Sequence, residues 1–306
     1  MKTACIYHQR DLDGYCSAAV VKKWTEESEP KKEIIFIGYD YGRPLPDLRE
    51  YSMVIMCDIS FPGTDMLALC KAEKYVIWCD HHISAITEVE KVFKEANHPL
   101  PKGLRDTNFA ACELTWKYFN IPEVKGTGET FTMPMTVKLL GEYDSWRNKD
   151  MVRWEQMIMP FQWGMRMICN SFETFPMRLL NVMEPGALMP QINEILENGE
   201  IILKYQNQSN EGLCRLTFAK KFKGLRAICL NASGTGSQTF KSVWDQSKYD
   251  IMITFYYNGH HDFFTVSLYS DKDWVDCSVL AKELGGGGHK GAAGFQVKDF
   301  REIWEK

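Results

Sequence analysis

Three short apolar runs within the first eighty residues each end on an acid or an imidazole, and this arrangement constrains the chain more than any other feature. Thr3–His8 closes on His8 and is followed by Asp11 and Asp13. Met53–Cys57 is followed by Asp58, and Tyr75–Cys79 by Asp80, His81 and His82. Runs of five or six apolar, aromatic and β-branched residues bounded by turn signals read as strands buried on both faces. Ile34–Tyr39 has the same character. Between the runs, Tyr15–Glu27 and Asp65–Ala72 carry helical spacing, and Pro62 with Gly63 suits a helix start. Strands alternating with helices predict a parallel sheet covered on both faces. The carboxyl ends of such strands open on one crevice, so the acids and histidines are expected to meet there.

Asp11, Asp13, Asp58 and Asp80 in one crevice would repel strongly unless cations neutralise them. Taken singly, an Asp-x-Asp after a strand is the composition of a turn or a helix cap, and a His pair there is more often structural. Coincidence at three strand ends favours a site. Carboxylate and imidazole ligands without thiolate suit Mn²⁺ or Mg²⁺, with Fe or Zn²⁺ as further options. Two cations about 3.5–4 Å apart clamp the attacking and leaving oxygens of an in-line displacement at phosphorus, so hydrolysis of a phosphate ester is the expected reaction.

Further along, helices are expected at Ala110–Tyr118 and Met135–Tyr143. From Trp154 to Pro190 the chain is rich in Met, Phe, Trp and Pro without clean periodicity, and is expected to supply core. Gln191–Asn207 resumes helical spacing and reads as a connection between domains. Strands follow at Arg215–Ala219, Leu225–Leu230, Ile251–Tyr257 and Phe263–Leu268, with a helix at Gln238–Trp244. The fold expected is α/β, with a doubly wound, mainly parallel sheet at residues 1–190. A helical linker at 191–212 then leads to a smaller mixed-sheet α/β domain at 213–306. Near the end stands LGGGGHKGAAGF. Successive glycines make poor helix or strand, and fit where backbone approaches a ligand closely. Gly286, Gly287, Gly288, His289 and Lys290 are therefore candidates for cradling a phosphate, a flexible hinge being the alternative.

Net charge −4 argues against a protein that coats long nucleic acid, but not against a short phosphorylated substrate. No stretch approaches the ~20 apolar residues that span a bilayer, and the start MKTACIYHQRDLDG has acids where a signal peptide would be apolar, so a cytoplasmic protein without membrane contact is expected. Ten scattered cysteines without a Cys-x-x-Cys pair fit a reducing compartment.

His8-x-x-Asp11-x-Asp13-Gly14, Asp58, the triplet Asp80-His81-His82 and GGGGHKGAAGF, in that order, resemble the DHH/DHHA1 phosphoesterases over nearly the whole chain. That family includes RecJ-type exonucleases, nanoRNase-type oligoribonucleases that also cleave pAp, cyclic-dinucleotide phosphodiesterases, pyrophosphatases and exopolyphosphatases. The resemblance implies two divalent metal ions, Mn²⁺ ahead of Mg²⁺. His8 and Asp11 would hold one, Asp13 and His81 the other, Asp58 would bridge them, and Asp144 in GEYDSW would complete the set. It implies further that Asp80 orients a histidine, that His82 faces the phosphate, and that the glycine run with His289 holds the substrate's terminal phosphate or nucleotide across a cleft between the domains. Short oligonucleotides, dinucleotides or pAp-like nucleotides are the substrates expected. Polyphosphate or pyrophosphate hydrolysis and silent nucleotide binding are the alternatives, and a homodimer is left open. The chain departs from the pattern in having Asp11 only three residues after His8, and Tyr269 where several nucleotide-cleaving relatives carry Arg. Tyr269 could stack on a base, or Arg105 could replace the missing cation. Asp13→Ala is expected to abolish hydrolysis while leaving the melting of the metal-free protein largely intact.

Overall fold

The computed structural model describes residues 2–120, 132–181, 189–299, 301 and 304. The chain falls into two compact units, Met1–Leu203 and Lys204–Lys306. The first opens with strand β1 (Thr3–His8), helix α1 (Leu12–Ser28), β2 (Ile34–Tyr39), β3 (Met53–Cys57), α2 (Gly63–Lys71), β4 (Tyr75–Cys79) and α3 (Ile83–Glu95). It continues through α4 (Ala111–Asn120) and α5 (Met135–Asp144). A short turn α6 (Met151–Arg153) runs into a π-helical stretch, Trp154–Ile158, and on into α7 (Met159–Ile168), before α8 (Met189–Cys214) begins.

β1 to β4 form a parallel sheet in the order β2-β1-β3-β4. Its strands are apolar on both faces because both faces are covered. Ala4, Ile6, Val54, Met56 and Trp78 pack with Ile86, Val89 and Phe93 of α3 and Met66 of α2. Cys5, Ile55, Cys57 and Cys79 face Val21 of α1 and Leu114 of α4. The chain leaves β1 for β2 on one side, then crosses to β3 on the other. This reversal places a switch point between the carboxyl ends of β1 and β3, where open α/β sheets bind ligands.

The Met- and Trp-rich segment divides. Trp154, Ile158, Met159, Phe161 and Met165 are buried in a core shared with α1 and α5, whereas Met151, Val152, Met167 and Ile168 are exposed. Residues 182–188 of that segment lie outside the described residues.

The second unit holds β5 (Phe218–Phe222), β6 (Leu225–Asn231), β7 (Ile251–Asn258), β8 (Phe263–Tyr269), α9 (Cys277–Lys282), β9 (Gly287–Gly288) and β10 (Ala292–Val297). Its mixed sheet has the order β5-β6-β7-β8-β10-β9, with β6 and β7 parallel and the other pairs antiparallel. Two expectations need correction here. The strand read at Arg215–Ala219 lies at Phe218–Phe222, because α8 runs on to Cys214 and the Thr217 hydroxyl donates to the Cys214 carbonyl to close it. The two-residue turn Lys223-Gly224, with φ of 48° and 78°, then sets the register of β5 on β6. The helix read at Gln238–Trp244 is only a 3₁₀ turn, Ser237–Phe240. It begins at Gly236, which offers no capping side chain, and it buries Phe240. Among the described residues no helix is long and apolar enough to cross a membrane.

Candidate metal centre

The first histidine ends β1, and the chain turns into α1 at once. Asp11 occupies the N-cap position, one carboxylate oxygen accepting from the Gly14 N–H at 3.0 Å. The turn works because residue 14 is glycine: a Cβ there would lie 1.9 Å from the His8 carbonyl oxygen. Asp11 keeps its second oxygen, Oδ2, for His8 Nδ1 at 3.0 Å. Asp13 is buried in the first turn of α1 and accepts from the N–H groups of Ala111 and Cys112, 2.9 and 2.8 Å away at the start of α4. Asp13 thus anchors a helix N-terminus as well as facing the crevice. Asp13→Ala would disturb the fold, contrary to the expectation that melting is left intact.

Asp58 follows β3 with φ +63°, a left-handed conformation that Asp tolerates better than most residues. Its Oδ2 lies 3.3 Å from His8 Nδ1, and its Oδ1 lies 3.3 Å from His81 Nε2. The same His81 nitrogen is 3.5 Å from Asp13 Oδ2 and 3.2 Å from Asp144 Oδ2 at the end of α5. His8, Asp11 and Asp58 therefore form one group of potential ligands, and Asp13, His81 and Asp144 another, with Asp58 offering one oxygen to each.

Asp80, beyond β4, is fully buried and committed to hydrogen bonds. Its Oδ1 accepts from the backbone N–H groups of His81 and His82 and lies 2.8 Å from His82 Nδ1, while Oδ2 accepts from the indole N–H of Trp78. A carboxylate so occupied orients a ring rather than binding a cation. The His82 ring is thereby fixed in direction through its Nδ1.

Donor atoms 3.0–3.5 Å apart have the spacing of adjacent corners of an octahedron with bonds of about 2.1–2.5 Å. His8 Nδ1 and Asp58 Oδ1, one in each group, are buried and make no well-formed hydrogen bond although charged neighbours lie 3.0–3.3 Å away, as atoms aimed at a cation rather than at one another would be. The electrostatics agree. Burial opposes charge on His8, but Asp11 and Asp58 outweigh it and raise the imidazole to about 11. Burial, then the charges of Asp58 and Asp144, hold the Asp13 carboxyl well above its usual range. Asp144 is 28% exposed on its side chain, yet burial, with help from Asp11 and Asp58 and against the pull of His81, raises it to about 6. Asp58 itself is held below the usual range, the surrounding imidazoles outweighing its burial. Without cations such a cluster balances its charge only by taking up protons, and divalent ions would replace those protons. The residues fit two such ions.

Two contributors escaped the sequence reading. Asp40 follows β2 just as Asp58 follows β3, and the strand-end rule applied to that fourth strand would have found it. Its Oδ1 lies 3.8 Å from His8 Nε2, and its Oδ2 pairs with Arg10 at 3.1 Å. Tyr41, the next residue, sets its ring 6.2 Å from that of His8 and 6.3 Å from that of His82. No sequence signal marks it, because only the loop's fold brings it to the histidines.

Gly286, Gly287, Gly288, His289 and Lys290 belong to the second unit. Gly287 and Gly288 form β9 against β10, and Cβ atoms at Gly286 and Gly288 would lie 2.0 Å from the Gly294 carbonyl oxygen and 2.6 Å from Ala293 Cα. Two of the glycines are therefore required by close backbone packing, and the run is an ordered part of a sheet edge rather than a hinge. His289 and Ala292 exchange backbone hydrogen bonds of 2.7 and 3.2 Å around a tight turn that displays Lys290. Tyr269 donates its hydroxyl to the Thr235 carbonyl at 3.4 Å. Arg105 donates to the Trp78 carbonyl at 3.0 Å and lies over the Trp78 ring, so its charge is already engaged.

Residues 3–140 match the model of the DHH family, N-terminal domain. A solved DHH domain, described as a member of a family of ribosomal proteins, superposes with a TM-score of 0.56 at 14% identity, covering 99% of this chain and 84% of that one. RecJ from Thermus thermophilus in complex with Mn²⁺ matches at 0.46 and 13% identity, over 99% of this chain and 50% of its own. PggH from Vibrio cholerae, a pGpG-specific phosphodiesterase, matches at 0.46 and 15%, over 97% and 93%. In sequence, an uncharacterized protein of Acanthamoeba polyphaga mimivirus is 23% identical across 94% of this chain, which spans 66% of that relative's length. A parallel sheet carrying Asp80-His81-His82, with a separate mixed sheet after it, fits the two-domain α/β DHH/DHHA1 arrangement, and residues 3–140 match the N-terminal domain of the DHH family.

Proposed function

We propose that this protein is a divalent-metal-dependent phosphoesterase that hydrolyses short oligonucleotides, dinucleotides or pAp-like nucleotides, with Mn²⁺ or Mg²⁺ at the centre. The observation that carries the proposal is Asp58, whose two buried oxygens each face a separate group of ligand atoms. His8 and Asp11 would hold one ion, Asp13, His81 and Asp144 the other, and Asp58 both. Bound there, the cations lower the pKa of a water and offset charge on the phosphate.

The chain's own residues supply the rest. Asp80 fixes the His82 ring through Nδ1, so Nε2 is the nitrogen that hands a proton to the phosphoryl or leaving oxygen. Asp40 steadies His8 from its far nitrogen. Tyr41, 47% exposed, stands beside the two histidines at the rim of the site. In the second unit, the exposed Lys290 would offer a cation to a phosphate, whereas the Gly286 and His289 N–H groups are already given to the Ala281 and Ala292 carbonyls. Ten free cysteines suit a reducing cytoplasm.

The test is a panel of pApA, pAp, short oligoribonucleotides and polyphosphate with Mn²⁺. Turnover of the nucleotides is expected. Orthophosphate released from polyphosphate alone would reject this substrate class in favour of phosphoanhydrides, and tight binding of nucleotide with no turnover would reject the enzyme.

A further inference from the structure

We infer that Trp146 is a stacking platform for a base of the substrate, which makes nucleotide esters rather than base-free phosphates the substrate class; this rests on the phosphoesterase reading above. Helix α5 ends on the ligand Asp144, and the chain then closes the helix in a particular way. The Trp146 N–H donates to the Tyr143 carbonyl at 3.1 Å and the Arg147 N–H to the Glu142 carbonyl at 2.9 Å. These two bonds define a helix end whose turning residue is left-handed and is usually glycine. Here that residue is tryptophan, at φ +55°. A bulky side chain in this conformation is a genuine outlier, and such outliers gather at ligand sites.

Packing gives only part of the reason for a tryptophan there. Its ring meets Trp154 at 5.2 Å and 64° and Tyr143 at 6.4 Å and 63°, yet the residue remains 46% exposed. The inner aromatic positions of this cluster are already filled by buried Trp154 and partly buried Tyr143, stacked on each other. The backbone around the indole is pinned: Arg147 pairs with buried Glu113 at 2.7 Å and Arg153 with Glu142 at 2.8 Å. The π-helical stretch that places Trp154 is itself a feature that recurs at functional sites. Trp146 stands two positions after Asp144, at most about 7 Å of backbone, so an exposed indole stands within side-chain reach of a carboxylate that lies 3.2 Å from His81. A phosphate at the cluster would bring its nucleoside to that indole, and stacking on an aromatic ring tolerates any base.

The experiment uses the full chain with Mn²⁺ and compares pApA with its abasic counterpart, in which hydrogen replaces both bases. Wild type is expected to favour pApA in kcat/KM by about 10- to 100-fold. Trp146→Phe should keep most of that preference. Trp146→Gly and Trp146→Asn should bring the ratio towards one, chiefly through KM, without lowering Tm, because glycine and asparagine accept the left-handed backbone. An unchanged ratio in both variants would overturn the inference, as would a fall in Tm with both substrates affected alike. Absence of hydrolysis from wild type would overturn the phosphoesterase reading alone, since calorimetric binding of the two compounds still reads the base preference.

Discussion

Asp58 concentrates the demands of the site in one residue: a left-handed backbone, an almost fully buried carboxylate, and an oxygen for each ligand group. Asparagine shares its size and its tolerance of the left-handed region but carries no charge. Asp58→Asn is therefore expected to keep the backbone but to cost the metal-free fold about 1–3 kcal/mol at pH 7, because the charge facing His8 and His81 is lost, and to cut Mn²⁺-dependent turnover by about 10²–10³-fold. Steady-state rates and Mn²⁺ titration calorimetry check this, and wild-type-like turnover would remove Asp58 from the centre. At this scale the residues after β1, β3 and β4 were legible, because each follows an apolar run directly. The second duty of Asp13, capping α4, was not, since its partners Ala111 and Cys112 lie about a hundred residues away.

Helices and strands are chosen by local pattern, but their packing is decided by individual atoms. The two helices α7 and α8 cross so closely that a Cβ at Gly199 would lie 1.7 Å from the Pro160 carbonyl oxygen. Propensity alone says that Gly199→Ala should gain about 1 kcal/mol in a helix. The crossing reverses the sign: a loss of more than about 2 kcal/mol is expected, read as a drop in urea midpoint. A neutral or stabilising result would show that the helices can move apart. The four parallel strands were readable because doubly buried strands are continuously apolar. Helix α3 was overlooked because it starts directly behind the ligand triplet, with His82 at its N-cap and no capping hydrogen bond from that side chain. β10 was overlooked because AAGFQV has the small residues of a loop, and only its pairing with β8 and β9 makes it a strand.

Taken whole, the molecule should respond to its ions and to pH in separable ways. A ligand that binds only the folded state stabilises it by RT ln(1 + [L]/Kd), about 2.7 kcal/mol at a hundredfold excess over Kd. Mn²⁺ is thus expected to raise Tm by several degrees, EDTA to reverse the rise, and Asp58→Asn to abolish it. In the second unit Asp250, its side chain 7% exposed, accepts from Arg226 and Lys272. Hydrogen bonds from Arg226 hold its pKa below the usual carboxylate range despite burial, with Lys272 adding to them. A depressed carboxyl stabilises the fold above its unfolded pKa, and that contribution is lost as pH falls through the folded value. Asp250→Asn should therefore cost about 1–3 kcal/mol at pH 7, a difference from wild type that shrinks below about pH 4. Thermal melts of both proteins from pH 7 to pH 2.5 would show it, and a gap that widens in acid would refute the assignment.

Residue order by itself determined the alternation of strands and helices, the strand ends that carry acids and imidazoles, and the succession of a parallel and a mixed sheet. Those follow from short-range hydrophobic period and from the rule that parallel strands share one carboxyl edge. Only the tertiary structure decided that Asp58 faces both ligand groups, that Asp40 and Tyr41 stand beside the histidines, and that a tryptophan occupies a glycine's place after Asp144. Distances between atoms far apart in the chain arise from packing, and no local pattern encodes them.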